Sequence, residues 1–157
     1  MNLTPDSKVI VQGTTISPSC AHAVIQMKTY GTRIVACVSP GHGGQELLNE
    51  IPVFDLVEQA FVHVGEIDIS VIFAHPYQVL DAALEAMAAG IRQLIIITEG
   101  VPPLDMVALV RKAEATETLV IGPNCSGIII PNQLLLGTHP SEFYQPGNIG
   151  LLSRSST

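Results

Sequence analysis

Tryptophan is absent from this sequence of 157 residues, and aromatic residues make up only 4% of it. Charged residues are also few, at 13%, whereas soluble domains typically carry about 25%. The polar side chains can therefore cover less of the surface than usual. We expect part of the apolar surface to be covered by another domain, a partner subunit or a second copy of the chain.

The sequence also lacks long hydrophobic runs. Its longest apolar runs, such as residues 71–74 and 94–97, are far shorter than the roughly 18 residues that a membrane span requires. The N-terminus does not have the basic-then-apolar layout of a signal peptide. We therefore predict a cytoplasmic protein that does not enter a membrane.

Cysteine pairs are missing as well. The three cysteines Cys20, Cys37 and Cys125 are odd in number and widely spaced, without a C-x-x-C pair. This pattern argues against both a disulfide framework and a zinc site, and it predicts reduced thiols and no bound metal. Histidines at metal-ligand spacing are absent too.

A concentrated positive charge is the last feature that the sequence lacks. Seven basic residues are scattered along the chain, and the formal net charge is −7. Because nucleic-acid binding requires a basic face, we predict that nucleic acid is not a partner.

Short β-branched runs alternate with helical patterns of about ten residues, and glycines follow several of the helices. This alternation is typical of βαβ units. It predicts a Rossmann-like, doubly wound parallel sheet with helices on both faces, formed by residues 1–122. The predicted strands are residues 8–12, 33–38, 52–54, 70–73, 94–97 and 119–121; the predicted helices start after Ser17 and at residues 56, 79 and 104.

Residues 123–157 differ in composition from the preceding segment. They are rich in proline and in predicted loops, with a last predicted strand at residues 148–152. We interpret them as a loop-rich C-terminal extension. It would form a connector and the start of a truncated second domain.

In open α/β sheets, ligands bind outside the carboxyl ends of the strands, so the loops there are the candidate sites. The four candidate loops are residues 14–19, 39–44, 75–77 and 98–100. The first loop retains only Gly13 of a G-x-G-x-x-G pattern, which argues against a nicotinamide cofactor. Its hydroxyls, including Thr15 and Ser17, could donate to a phosphate or could serve only as caps and turns.

Read together, seven short motifs resemble the alpha subunit of succinyl-CoA synthetase and related acid–CoA ligases across nearly the whole chain. Each motif alone is weak, but their order and spacing match the family. They are K-V-I-x-Q-G (8–13), S-P-G-x-G-G (39–44), P-V-F (52–54), S-V-I-F (70–73), I-T-E-G-V-P (97–102), I-G-P-N-C-x-G (121–127) and S-R-S-S-T (153–157).

The resemblance implies that CoA is the ligand and assigns roles to particular residues. The stretch from Thr15 through Ile16 and Ser17 to Pro18 would lie at the CoA phosphates. Ser39 and His42 would lie at the nucleotide end, where His42 takes the place of a family lysine. The remaining implied contacts are Thr98, Glu99 and Gly100 along the pantetheine, with Asn124 and Cys125 near the thiol.

The sequence departs from the family where phosphate is held. The family's T-G-x-x-G loop is T-I-S-P-S here, and Pro18 has no amide hydrogen to donate. A nucleophilic role for His42 is disfavoured because no nearby base or orienting partner is evident. For Cys125, a buried structural thiol is favoured over a nucleophile.

The resulting hypothesis is the CoA-binding part of an NDP-forming, succinyl-CoA synthetase-like acid–CoA ligase. We expect it not to be catalytic alone, and we expect none of its residues to be catalytic. Its expected partners are CoA and a beta-type subunit or a fused ligase domain, with a homo-oligomer possible. The alternative is a non-catalytic Rossmann module that senses a nucleotide or docks a partner, with a degenerate phosphate loop.

Overall fold

The computed structural model describes residues 3–13 and 18–148. Within them, a seven-stranded sheet has the order β3-β4-β2-β1-β5-β6-β7, and all its pairings are parallel except that of β3 with β4. The strands are β1 (Val9–Gln12), β2 (Ile34–Val38), β3 (Glu46–Leu47), β4 (Ile51–Phe54), β5 (Ile69–Ile72), β6 (Gln93–Ile96) and β7 (Leu119–Ile121). The Rossmann-like fold predicted from the sequence is confirmed.

Helices cover both faces of the sheet, but unequally. One face carries α2 (Val57–Val64), α3 (Val79–Ala88) and α4 (Pro103–Ala115), which share a core cluster with the inward side chains of the strands. The other face carries α1 (Pro18–Thr29). A sheet that is buried on both faces explains why its strands read as continuous apolar runs, with β1 and β5 fully buried.

The predicted elements agree closely with the observed ones, since the six predicted strands and the helices that start at residues 56, 79 and 104 begin within one residue of their observed positions. Glycines follow the first three helices, as expected. Gly31, Gly65 and Gly90 all have positive φ, at 106°, 77° and 94°. Glycine adopts this left-handed conformation at little cost, so it ends a helix cleanly.

A β-hairpin lies in the segment that its composition predicts to be loop-rich. Strands β8 (Gly127–Ile130) and β9 (Leu134–Gly137) pair antiparallel. Leu134, Leu135 and Leu136 are fully buried against the α1 face of the sheet. The hairpin therefore completes the covering of a face on which α1 is the one helix among the described residues.

The division of the chain at residue 122 stays a prediction. The Ser17 cap, the strand predicted at residues 148–152 and the motif at residues 153–157 lie wholly or partly outside the described residues.

Candidate functional site

A cleft of about 420 Å³ opens at the carboxyl ends of β1, β2 and β5. Strand β1 lies between β2 and β5. After β1, the chain first adds β2, β3 and β4 on one side of it and then adds β5, β6 and β7 on the other side. This is the point where strand order reverses, at which doubly wound domains bind ligands. The described residues that line the cleft are Gln12, Gly13, Val38, Ser39, Pro40, His42, Leu56, Ala74, Gln78, Asp81, Ala82 and Glu85.

Gln12 and Gly13 form the floor of the cleft. The buried Gln12 side chain accepts a hydrogen bond from Ser70 Oγ at 2.6 Å and donates one to the Ala82 carbonyl oxygen at 3.0 Å. At Gly13, φ is 157°, and an added Cβ would lie 3.0 Å from the Phe73 carbonyl carbon. Glycine is required there because the backbones of two strand ends approach closely.

The loop after β2 forms one wall of the cleft. Ser39 is buried, and its Oγ lies 3.1 Å from His42 Nδ1. The His42 amide also donates to the Ser39 carbonyl oxygen at 3.0 Å. These contacts hold the half-buried imidazole of His42 at the cleft.

Asp55, the first residue after β4, fixes the same loop. Its Oδ1 accepts hydrogen bonds from the Gly41 amide at 2.7 Å and the Gly43 amide at 3.0 Å. The Gly43 and Gly41 bonds lower the pKa of the Asp55 carboxyl below its ordinary value, because they stabilise the charged form. Asp55 is therefore an anion at neutral pH, bound to the backbone of the glycine-rich loop.

Helix α3 forms the opposite wall and contributes Asp81 and Glu85. Glu85 Oε1 accepts the Val57 amide at 2.8 Å, so this carboxylate caps the first turn of α2. Of the described residues that line the cleft, none is lysine or arginine. Its ionisable side chains are thus two carboxylates and the imidazole of His42.

A second group of side chains lies at the carboxyl ends of β6 and β7. Thr98 Oγ1 donates to the Ala74 carbonyl oxygen at 2.7 Å, and the Asn124 amide donates to the Thr98 carbonyl oxygen at 2.9 Å. Cys125 Sγ donates to the Ile96 carbonyl oxygen at 3.3 Å. Because Ala74 also lines the cleft, the two groups adjoin on one edge of the sheet.

The three thiols differ in exposure. Burial raises the pKa of Cys20 to about 11, and burial together with the neighbouring Cys20 raises that of Cys37 to about 12. Burial also raises the pKa of the half-buried Cys125. A raised pKa leaves less thiolate at neutral pH, which agrees with a structural interpretation of Cys125.

The structure brings most of the described predicted site residues to one edge. Ser39 and His42 line the cleft, and Thr98, Asn124 and Cys125 form the adjoining group. The other described contacts are Glu99 and Gly100, which lie exposed in the loop after β6, and Pro18, which begins α1. Thr15, Ile16 and Ser17 lie outside the described residues. The ligand contacts of all these residues stay predictions.

Asp55, Gln12 and the two carboxylates of α3 were not among the site residues predicted from the sequence. Asp55 follows β4 directly, so the rule applied to the other strand ends would have found it. Glu85 gave no local signal, because the amide that it caps lies 28 residues earlier in the chain.

Within residues 3–13 and 18–148, no helix is long and apolar enough to cross a membrane. No cluster of three or more potential metal ligands occurs among these same residues.

The fold and the cleft together define a doubly wound α/β domain with its candidate ligand site at the point where strand order reverses. Residues 4–100 match the CoA binding domain family. Because this match covers more than half of the chain, the chain belongs to the family of CoA-binding domains.

Curated relatives extend the similarity beyond those residues. The chain is 42% identical over 151 residues to the succinate–CoA ligase [ADP-forming] subunit alpha 2 of Archaeoglobus fulgidus, covering 96% of this chain and 52% of that protein. It is 40% identical over 154 residues to the corresponding subunit alpha of Aquifex aeolicus, covering 97% and 50%. The chain spans about half the length of the curated relatives that it matches.

Solved structures show the same fold at lower identity. An ATP citrate lyase from Methanothrix soehngenii, in complex with citrate and coenzyme A, superposes with a TM-score of 0.73 at 22% identity, over 87% of this chain and 24% of that one. A dinucleotide-forming acetyl-coenzyme A synthetase 1 from Ca. Korarchaeum cryptofilum gives 0.72 at 24% identity, over 87% and 30%.

Proposed function

We propose that this chain binds CoA along the carboxyl edge of the sheet. The nucleotide end would lie in the cleft near Ser39 and His42, and the pantetheine arm would pass Thr98 toward Asn124 and Cys125. The observation that carries this proposal is that Ala74 belongs to both groups of residues. It lines the cleft, and its carbonyl oxygen accepts a hydrogen bond from the Thr98 hydroxyl. One extended ligand can therefore contact both groups.

The proposal extends to the larger protein through the relatives named succinate–CoA ligase subunit alpha. This chain would supply the CoA-binding part of an NDP-forming acid–CoA ligase in the cytoplasm. Such a ligase joins a carboxylate to CoA at the expense of a nucleoside triphosphate. A beta-type subunit or a fused domain would supply the nucleotide chemistry.

Calorimetric titration with CoA tests the site when it is combined with two matched substitutions on α3. Ala82→Leu adds bulk within the cleft, whereas Ala88→Leu adds the same bulk on the exposed face of the same helix. We expect Ala82→Leu to weaken CoA binding at least tenfold and Ala88→Leu to leave it unchanged. Equal affinities of both variants for CoA would contradict the proposed site. So would NMR amide shifts that CoA causes on the amino edge of the sheet.

The second candidate is a nucleotide-sensing module without a catalytic role. The observation that favours it is the scarcity of positive charge in the described lining of the cleft, where His42 is the one basic side chain. Parallel titrations with ADP and CoA separate the two candidates. Binding of ADP as tight as that of CoA would favour the sensing module, because the pantetheine arm would then contribute nothing.

A further inference from the structure

Asp55 already occupies a backbone site of the kind that binds anions. Successive loop amides often form a concave nest for phosphate. Here the Gly41 and Gly43 amides both point to Asp55 Oδ1. A Cβ added at Gly43 would overlap the Asp55 carboxylate, so the loop and this side chain are in direct contact. A ligand phosphate would have to displace Asp55 to use these amides.

The charges around the loop add to this effect. Asp55 does not itself line the cleft, but its carboxylate binds the amides on either side of His42, and both His42 and Leu56 line the cleft. Asp81 and Glu85 line the facing wall. A phosphate monoester carries about −1.5 to −2 charges at neutral pH, which these three carboxylates repel.

We propose that Asp55 makes the nucleotide end of the cleft select ligands with a free ribose hydroxyl over ligands with a ribose phosphate. The preferred class is an adenosine diphosphate joined to a pantetheine arm, as in dephospho-CoA. This inference rests on the proposed function, since it concerns the same site. It makes Asp55 a specificity-determining residue.

The Asp55 carboxylate can both favour a ribose hydroxyl and disfavour a ribose phosphate. A carboxylate has about four lone-pair positions, so bonds to the loop amides leave capacity for a ribose hydroxyl. In dinucleotide-binding domains of the doubly wound type, an acidic side chain about 20 residues beyond the first turn accepts a ribose hydroxyl. Asp55 follows β4 and offers a carboxylate at the same edge of the sheet. The same side chain penalises a phosphate by like-charge repulsion.

The substitution Asp55→Asn separates charge from geometry. The amide oxygen of asparagine can still accept the Gly41 and Gly43 hydrogens, so the loop keeps its support while the negative charge is lost. Asp6→Asn is the matched control, because Asp6 is exposed before the amino end of β1, on the opposite edge of the sheet.

The experiment is calorimetric titration of the full chain with CoA and with dephospho-CoA at low salt. We expect the unsubstituted chain to bind dephospho-CoA at least as tightly as CoA. Asp55→Asn should tighten CoA binding about three- to tenfold and dephospho-CoA binding by less, with the gain shrinking as salt rises. Asp6→Asn should change neither affinity. Asp81→Asn, at the exposed side of the cleft, should shift the ratio in the same direction.

Two results would overturn the inference while CoA binding stands. One is CoA binding at least ten times tighter than dephospho-CoA binding by the unsubstituted chain. The other is a ratio of affinities that Asp55→Asn leaves unchanged, whatever the effect of Asp81→Asn. Absence of binding by either ligand at millimolar concentration would instead refute the proposed function, and the inference with it.

Discussion

His42 stands at the cleft where a permanent positive charge would favour a phosphate-bearing ligand. A lysine ammonium carries a permanent positive charge on a long, flexible side chain, which an imidazole does not supply. We therefore expect His42→Lys to tighten CoA binding about three- to tenfold at low salt, with a smaller gain at high salt. Calorimetry at two ionic strengths measures the effect.

The control for this substitution is His63→Lys. His63 is exposed in the last turn of α2, where its ring packs on Phe54 and does not line the cleft. The substitution therefore makes the same charge change outside the cleft lining. An equal gain from both substitutions would reflect only the net charge of the chain and would contradict a phosphate near residue 42.

The thiols offer a second prediction for single residues. Because burial raises the pKa of Cys20 to about 11 and of Cys37 to about 12, both stay protonated in the folded chain up to about pH 9. Cys125 is half-buried, so it should react first with iodoacetamide at pH 8. Mass spectrometry of timed samples identifies the modified thiol.

Saturating CoA should slow the reaction of Cys125, since the proposed thiol end of the ligand lies beside it. Unfolding in urea should make all three cysteines react at similar rates. Modification of Cys20 before Cys125 in the folded chain would show that α1 opens more readily than its burial implies.

Among the elements, the hairpin of β8 and β9 depends on one buried hydroxyl. Thr32 Oγ1 donates to the Leu135 carbonyl oxygen at 2.6 Å and accepts the Leu135 amide at 3.1 Å. Thr32→Val keeps the shape but leaves both backbone groups without this partner. We expect it to lower the free energy of unfolding by about 2 kcal/mol, measured by urea denaturation.

Thr32→Ser is the matched control, because it keeps the hydroxyl and loses only a methyl group. It should be clearly less destabilising than Thr32→Val. If the two variants unfold at the same urea concentration, the hydroxyl does not hold the hairpin.

The elements also show how far sequence patterns reach. Strands β1 and β5 were predictable because their β-branched runs carry a local signal. Strand β9 is an equally apolar run, yet its burial depends on the α1 face, which no local pattern reveals. The carboxyl-edge rule found Ser39 and Thr98 but not Glu85, whose role is set by an amide on another helix.

For the whole molecule, the low charge content predicted exposed apolar surface, and α4 carries part of it. Leu104 is 82% exposed, and Val107 and Val110 are each nearly half exposed. These side chains lie at positions i, i+3 and i+6 of one helix, so they form a stripe. The expectation that another domain, subunit or copy covers part of the surface stays a prediction.

The chain alone should neither form acyl-CoA nor take up phosphate from ATP. Phosphoryl transfer needs metal ions and donors that converge on the phosphate oxygens. The sequence contains no G-x-x-x-x-G-K-[ST] loop, and no cluster of potential metal ligands occurs among the described residues. Incubation with γ-labelled ATP and magnesium, followed by acid and alkaline washes, checks this prediction.

Background labelling after both washes is the expected outcome. Acid-labile, alkali-stable label on His42 or another histidine would instead show a phosphotransfer protein that is complete in itself.

The contact between Thr32 and Leu135 can form only late in the synthesis of the chain. The two residues are 103 positions apart, so a ribosome that adds about 5 to 20 residues per second makes the second about 5 to 20 s after the first. During that interval, β1 and α1 exist without the leucines of β9 that cover their face of the sheet. The nascent chain therefore presents an apolar face of the kind that chaperones bind, and it loses this face only when residue 136 has emerged.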